Sequence, residues 1–157
     1  MTVHIREAVP TDFTAIQPID SESQEKHAHA LPHIFQQGVY GLPQDYYLSL
    51  LAGDNSVVYV AELNHNIVGY VIAEYKELAY LDALIPRKLA FISDIAVREA
   101  HQGQGIGYAL FQTCVNWART KGANSLDLMV WEFNKDAIAF YERQGMQSLN
   151  RTMSLEL

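Results

Sequence analysis

Polar and apolar positions alternate with period two through Val3-His4-Ile5-Arg6-Glu7-Ala8-Val9, which predicts a strand. Pro10-Thr11-Asp12 follows, with Thr11 placed to cap a helix from about Asp12 to His29. Leu31-Pro32 should end that helix, because proline pushes the residue before it out of the helical region. Gln44 to Ala52 reads as a short helix with Tyr47, Leu48 and Leu51 inward. Two β-rich runs, Val57 to Glu62 and Ile67 to Ile72, are joined through Asn64-His65-Asn66 and predict a hairpin. Glu77 to Lys88 follows neither period and is expected to be loop with some helix. Leu89 to Val97 is apolar on both faces except for Ser93 and Asp94, the mark of a central strand.

A glycine-rich turn, Gln102-Gly103-Gln104-Gly105-Ile106-Gly107, leads into a helix expected from Ile106 to Lys121. Ile106, Leu110, Cys114 and Trp117 share one face of it, and Gly122 closes it. Ser125 to Trp131 predicts another strand, Asn134 to Gln144 another helix with Gly145 as its stop, and Arg151 to Leu157 a last alternating strand. The order of elements predicts a mixed α/β fold with a partly antiparallel sheet. No internal repeat or long linker divides the chain, so residues 1–157 are expected to form one domain.

Composition narrows the function. Apolar residues make up 49% and charged residues 18%, enough apolar material for a sizeable core. Eleven Lys and Arg stand against 18 Asp and Glu, for a net charge of −7, so the basic footprint of a nucleic-acid binder is missing. No apolar run approaches the ~18 residues of a membrane-spanning helix, and the first residues carry no apolar signal core. The expectation is a cytoplasmic protein without nucleic-acid or membrane partners. The single cysteine, Cys114, excludes an intrachain disulfide and any CxxC metal site.

Three glycines between a buried strand and a helix suggest a phosphate cradle, since small residues let backbone N–H groups approach an anion at a helix N-terminus. A dinucleotide fingerprint needs G-x-G-x-x-G, but the position five after Gly103 is Tyr108. No Gly-Lys-Ser/Thr occurs, so a P-loop is excluded as well.

The turn resembles the Q/R-x-x-G-x-G/A acetyl-CoA motif of the GNAT superfamily of N-acetyltransferases. About thirty residues on, Asn134-Lys135-Asp136-Ala137-Ile138-Ala139-Phe140-Tyr141-Glu142-Arg143-Gln144-Gly145-Met146 is similar to that superfamily's N-x-x-A-x-x-F-Y-x-x-x-G-F segment, with Met146 in place of Phe. The resemblance extends to Ile5-Arg6-Glu7-Ala8 and Pro10-Thr11-Asp12, which look like the family's first strand and helix start. It also takes in His27, Pro32 and Phe35, which resemble an element of some small bacterial members.

The resemblance implies a central twisted, mixed and mostly antiparallel sheet flanked by helices, with a V-shaped opening between two central strands. It implies that acetyl-CoA lies there as cosubstrate. Backbone groups of Ile95, Ala96 and Val97 would hold the pantetheine arm, and those of Gly103, Gln104, Gly105, Ile106, Gly107 and Tyr108 the diphosphate. Gln102 stands where many members have Arg, and Asn134 at a position that commonly contacts the coenzyme. An N–H near Ile95 is placed to stabilise an oxyanion. Tyr141 matches the general acid that protonates the leaving thiolate. An ammonium acceptor must lose a proton before attack, and Asp94, a carboxylate inside an apolar strand, is the candidate base, with Glu132 and Glu74 behind it.

The acceptor side falls to residues 22–47 and 77–88, with tyrosines such as Tyr40, Tyr46, Tyr47, Tyr75 and Tyr80 candidates for its lining. The expected acceptor is a primary amine of a small molecule or a peptide. The alternatives are a protein N-terminal or ribosomal-protein acetyltransferase and a non-catalytic acyl-CoA-binding regulatory module. A homodimer is open, the last strand offering an edge. His27, His29 and His33 lack the spacing of a zinc site, so no metal is expected. Cys114 reads as a buried thiol, and Trp117 and Trp131 as core residues.

Overall fold

The computed structural model describes residues 2–39, 41–79 and 81–157. The alternating strands assemble into a sheet of order β1-β2-β3-β4-β5, with β1 at His4–Glu7, β2 at Ser56–Leu63, β3 at Asn66–Leu78, β4 at Arg87–Val97 and β5 at Ser125–Leu128. The first four strands pair antiparallel, and β4 with β5 is parallel. Asn64 and His65 turn the β2–β3 hairpin at φ 50° and 63°, the left-handed pair whose twist matches that of the flanking strands.

Period-two burial gives the sheet two apolar faces. Val58, Val60, Tyr70 and Ile72 point toward α1 (Phe13–Ala30) and α2 (Gln44–Ala52), meeting Phe13, Ile16, Ile19, Tyr47 and Leu50. Val57, Ala61, Val71, Ala73 and Ile92 point the other way, toward Ile106, Leu110, Phe111 and Cys114 of α3 (Ile106–Thr120). The last helix, α4 (Lys135–Arg143), packs Phe140 and Tyr141 against this second face.

Several expectations change. Asp12, not Thr11, organises the start of α1: its carboxylate accepts the Val9 N–H at 2.8 Å and two guanidinium bonds from Arg6 at 2.7 and 3.0 Å. Leu48 faces out and Leu50 takes the buried place in α2. The ambiguous stretch after Glu77 extends the sheet, β3 running to Leu78 and β4 starting at Arg87, with no helix among the described residues between them. Strand β5 stops at Leu128, and Trp131 beyond it is 39% exposed rather than in the core. Residues 151–157 form no strand: alternation makes a segment competent to pair, but no described strand lies beside it.

Two irregularities place the site. Ile72 pairs with Asp94 but Ala73 pairs with Ile92, so Ser93 is an extra residue that bulges β4. Gly69 on β3 lets α3 close onto the sheet, since a Cβ there would lie 3.0 Å from the Ala96 carbonyl and 3.2 Å from Leu110 Cδ1. Gly69→Val should therefore destabilise the fold by about 1–3 kcal/mol through overpacking, measured by denaturant unfolding.

Candidate active site

The β4–β5 ladder runs from Leu89↔Ser125 to Ile92↔Leu128 and stops. Strand β4 continues to Val97 paired only with β3, so Ile95, Ala96 and Val97 border a wedge between the two parallel strands. The turn after β4 reaches the start of α3 at the mouth of this wedge. Gly103 and Gly105 sit at φ 73° and 82°, where a side chain would be strained, and open space surrounds both. Gly105 is the N-cap, and the first helical bond runs from the Ala109 N–H to its carbonyl at 3.0 Å. The N–H groups of Ile106, Gly107 and Tyr108 thus have no carbonyl behind them. Together with the positive end of the helix dipole they form a site suited to a diphosphate. Gln104 is exposed on the turn. Gln102 turns its amide back, donating to the Val97 carbonyl at 3.0 Å, and so fastens the cradle to the strand.

Asp94 follows the bulge. Tyr70 on β3 donates a short hydrogen bond to its Oδ2, and the same phenol lies 3.3 Å from Oδ1 of Asp20. Asp20, buried in α1, accepts the N–H groups of Gly41 and Leu42 at 2.8 and 3.1 Å through its other oxygen. Desolvation raises the Asp94 pKa to about 6, with the charge of Asp20 adding to the rise and the Tyr70 hydrogen bond opposing it. Burial among carboxylates pushes the Tyr70 phenol far above its ordinary range, so it serves as a proton donor.

Tyr141 is on α4, with its ring against Phe140 and Phe111 at 5.4 and 6.4 Å. Burial and the nearby negative charge of Asp94 raise its pKa to about 12, keeping the hydroxyl protonated. That hydroxyl has no hydrogen-bond partner among the described residues. Asn134 caps α4, its Oδ1 accepting the Ala137 N–H at 3.2 Å. Of the other carboxylates, Glu74 is occupied by Tyr46 and Ser93 at 2.7 and 3.2 Å, and Glu132 lies exposed beside Lys135 and Arg151 at 3.6 and 3.5 Å.

Sequence reasoning missed Tyr70 and Asp20. The signal for Asp20 was a carboxylate one residue from Ile19 on a buried helix face, and for Tyr70 a hydroxyl in the middle of an apolar strand. It also missed an aromatic group at the wedge. His27 is edge-on to Phe35 and Phe133, each at 5.3 Å, and Phe35 meets Trp131 at 5.3 Å. These contacts join the loop after α1 to the loop after β5. His29 and His33 are exposed, apart from this group. Cys114 is fully buried, and burial raises its thiol to about 12. Tyr47 is core, its hydroxyl donating to the Val9 carbonyl at 2.6 Å, and Tyr75 bonds Glu77 at 2.9 Å; Tyr40 and Tyr80 lie outside the described residues. Among the described residues no three His, Cys, Asp or Glu side chains are gathered to hold a metal ion, and no helix is long and apolar enough to cross a membrane.

Comparison with known proteins agrees with this geometry. The Acetyltransferase (GNAT) family matches residues 19–146. An uncharacterized N-acetyltransferase of Methanocaldococcus jannaschii is 31% identical over 65% of this chain and 44% of its own length. The chain spans about half the length, or less, of the first curated relatives it matches. A mutant of the BH1408 protein from Bacillus halodurans superposes with a TM-score of 0.94 at 28% identity, covering 98% of this chain and 99% of that one. The aminoglycoside N-acetyltransferase AAC(6')-Iy, solved in complex with CoA, shares the fold with a TM-score of 0.73 at 16% identity, over 99% of this chain and 95% of that one.

Tyr70→Phe removes the one side-chain donor to Asp94 among the described residues and should raise the Asp94 pKa above about 6, read by carboxyl-carbon NMR titration.

Proposed function

The chain belongs to the GNAT acetyltransferase family, and on that premise we propose that it transfers the acetyl group of acetyl-CoA directly to a primary amine of a small molecule or peptide. The observation that carries this reading is the wedge beyond Ile92 and Leu128, which has the open N-terminus of α3 at its mouth and carries Asp94 and Tyr141 beside it. Acetyl-CoA would supply an activated thioester. Residues 103–108 would hold its diphosphate by backbone N–H groups and the helix dipole, and the free edge of β4 at Ile95 to Val97 its pantetheine arm.

The protein's part is proton management and orientation. The acceptor arrives as an ammonium with a reference pKa of ~10.4 for a lysine-type amine and must be deprotonated to attack. Asp94, ionised above about 6, accepts that proton within reach of Tyr70. Nitrogen then bonds to the carbonyl carbon and the carbon–sulfur bond breaks; Tyr141 gives its proton to the departing thiolate and regains one from the nitrogen, which sheds its second proton as the amide forms. A backbone N–H near Ile95 stabilises negative charge on the carbonyl oxygen.

Carboxylates and rings give the acceptor side its character. Asp94 and Glu74 lie on the two strands joined at the bulge, and Phe35, Trp131 and Phe133 form an aromatic group with His27. An amine carried on an apolar or aromatic-contacting body suits this setting, through charge attraction and ring contact.

Calorimetric titration with acetyl-CoA, followed by a thiol-release screen against small amines and N-terminal peptides, tests the reading. Acceptor-dependent thiol release is expected, and failure to bind acetyl-CoA would sink it. Tyr141→Phe should lower kcat by about 10²–10⁴-fold while acetyl-CoA binding survives. Gly105→Glu places bulk, charge and backbone strain in the cradle and should abolish binding in the same titration. For the native enzyme, kcat/KM should fall as pH drops through about 6, because protonated Asp94 can no longer take a proton.

A further inference from the structure

Helix α1 buries a carboxylate that takes no direct part in acetyl transfer. Asp20 is 1% exposed, and an ionised group in such a place is costly unless its oxygens are occupied. Its Oδ2 accepts the N–H groups of Gly41 and Leu42 at 2.8 and 3.1 Å, while Oδ1 lies 3.3 Å from the Tyr70 hydroxyl. Tyr70 is itself fully buried and donates to Oδ2 of Asp94. One phenol proton therefore stands between two carboxylates and can serve only one of them well at a time. The 3.3 Å separation exceeds the ~2.5–2.7 Å of a charge-assisted O–H···O⁻ bond. With Asp94 ionised the proton thus belongs to Asp94, and Oδ1 of Asp20 keeps unused accepting capacity.

That balance reverses when Asp94 takes up a proton. Protonation on either oxygen removes its charge, and Asp20 is then the anionic acceptor that the phenol can reach. A hydrogen bond to an ionised acceptor is roughly twice as strong as one between neutral groups. Resting on the reading of Asp94 as the base for the acceptor amine, we propose that Asp20 is a positioning residue for it. The Tyr70 hydroxyl swings to Asp20 each time Asp94 is loaded with a proton, and swings back when the proton leaves. No covalent bond of Tyr70 or Asp20 breaks: an N–H bond of the ammonium is exchanged for an O–H bond on Asp94, and the phenol hydroxyl turns about its C–O bond. The bond gained at Asp20 offsets the one given up at Asp94, which stabilises the loaded base where Tyr70 and Asp20 are closed to solvent. His27 on α1, Tyr46 on α2 and Tyr141 on α4 also sense the Asp94 charge, but among the described residues none of them is hydrogen-bonded to it.

Carboxyl-carbon NMR follows both groups without acetyl-CoA or acceptor. In the native protein the Asp20 signal should inflect at the pH where Asp94 titrates, about 6. Tyr70→Phe should remove the Asp20 inflection while Asp94 still titrates. Asp20→Asn keeps an oxygen for Gly41 and Leu42 but loses the charge. Desolvation still raises Asp94 there, yet without the Asp20 charge its pKa should come down from about 6 towards the ordinary ~4. The plateau of kcat/KM should fall about tenfold, a part of what a general base contributes. A flat Asp20 signal through the Asp94 transition, an inflection kept in Tyr70→Phe, or an Asp94 pKa unmoved in Asp20→Asn would each overturn the proposal. The first two decide it even if Asp20→Asn fails to fold. An Asp20 inflection of the expected kind in a protein that releases no thiol would overturn the acetyl-transfer reading and leave the exchange standing. Thiol release with a flat Asp20 signal would overturn the exchange alone.

Discussion

Parallel pairing of β4 with β5 survives for only four residue pairs, and the placement of the site depends on where it stops. A parallel ladder carried to Val97 would consume the backbone groups of Ile95 to Val97 and close the wedge. Two local devices keep it open. The extra residue at Ser93 turns β4 while its ladder to β3 persists, and the chain after Leu128 leaves the sheet for the loop that feeds α4. The wedge is thus held from the antiparallel side, where β3 grips β4 along its whole length. Gly69 lets α3 settle onto that same pair, so the open N-terminus of α3 is registered against the end of β4.

The carboxylate group behind the wedge is costly to bury and is tolerated because its oxygens find donors. Asp20 takes two backbone N–H groups, and Asp94 takes the Tyr70 hydroxyl. Neither carboxylate faces a guanidinium or an ammonium in a direct ion pair among the described residues. Arg6, by contrast, spans Asp12 and Glu62 at the far edge of the sheet, where it fixes the start of α1 and lowers the Asp12 pKa through its guanidinium hydrogen bonds. The two clusters show one residue type used in opposite ways, depending on whether a cation was placed beside it.

Much of the fold was legible because period and punctuation are local properties. The hairpin through Asn64 and His65, the end of α1 before Pro32 and the glycine-bounded α3 follow from short-range sterics. What the sequence hid is long-range. Tyr70 and Asp20 are fifty positions apart, and nothing local says that the phenol bridges Asp20 to Asp94. The ring contacts of His27, Phe35, Trp131 and Phe133 likewise join segments about a hundred residues apart, so Trp131 looked like a core residue. The strand expected at 151–157 erred differently: its alternation is real, but pairing is a property of two segments.

Asp20 also belongs to the loop between α1 and α2, through the N–H groups of Gly41 and Leu42. Any motion that draws those two groups away leaves more uncompensated negative charge facing Tyr70 and Asp94, and so strengthens the hold of Asp94 on a proton. By thermodynamic reciprocity, a proton gained at Asp94 must in turn alter how firmly the loop is held. Loop position and proton affinity are therefore two coordinates of one equilibrium, with a single buried carboxylate as the hinge between them.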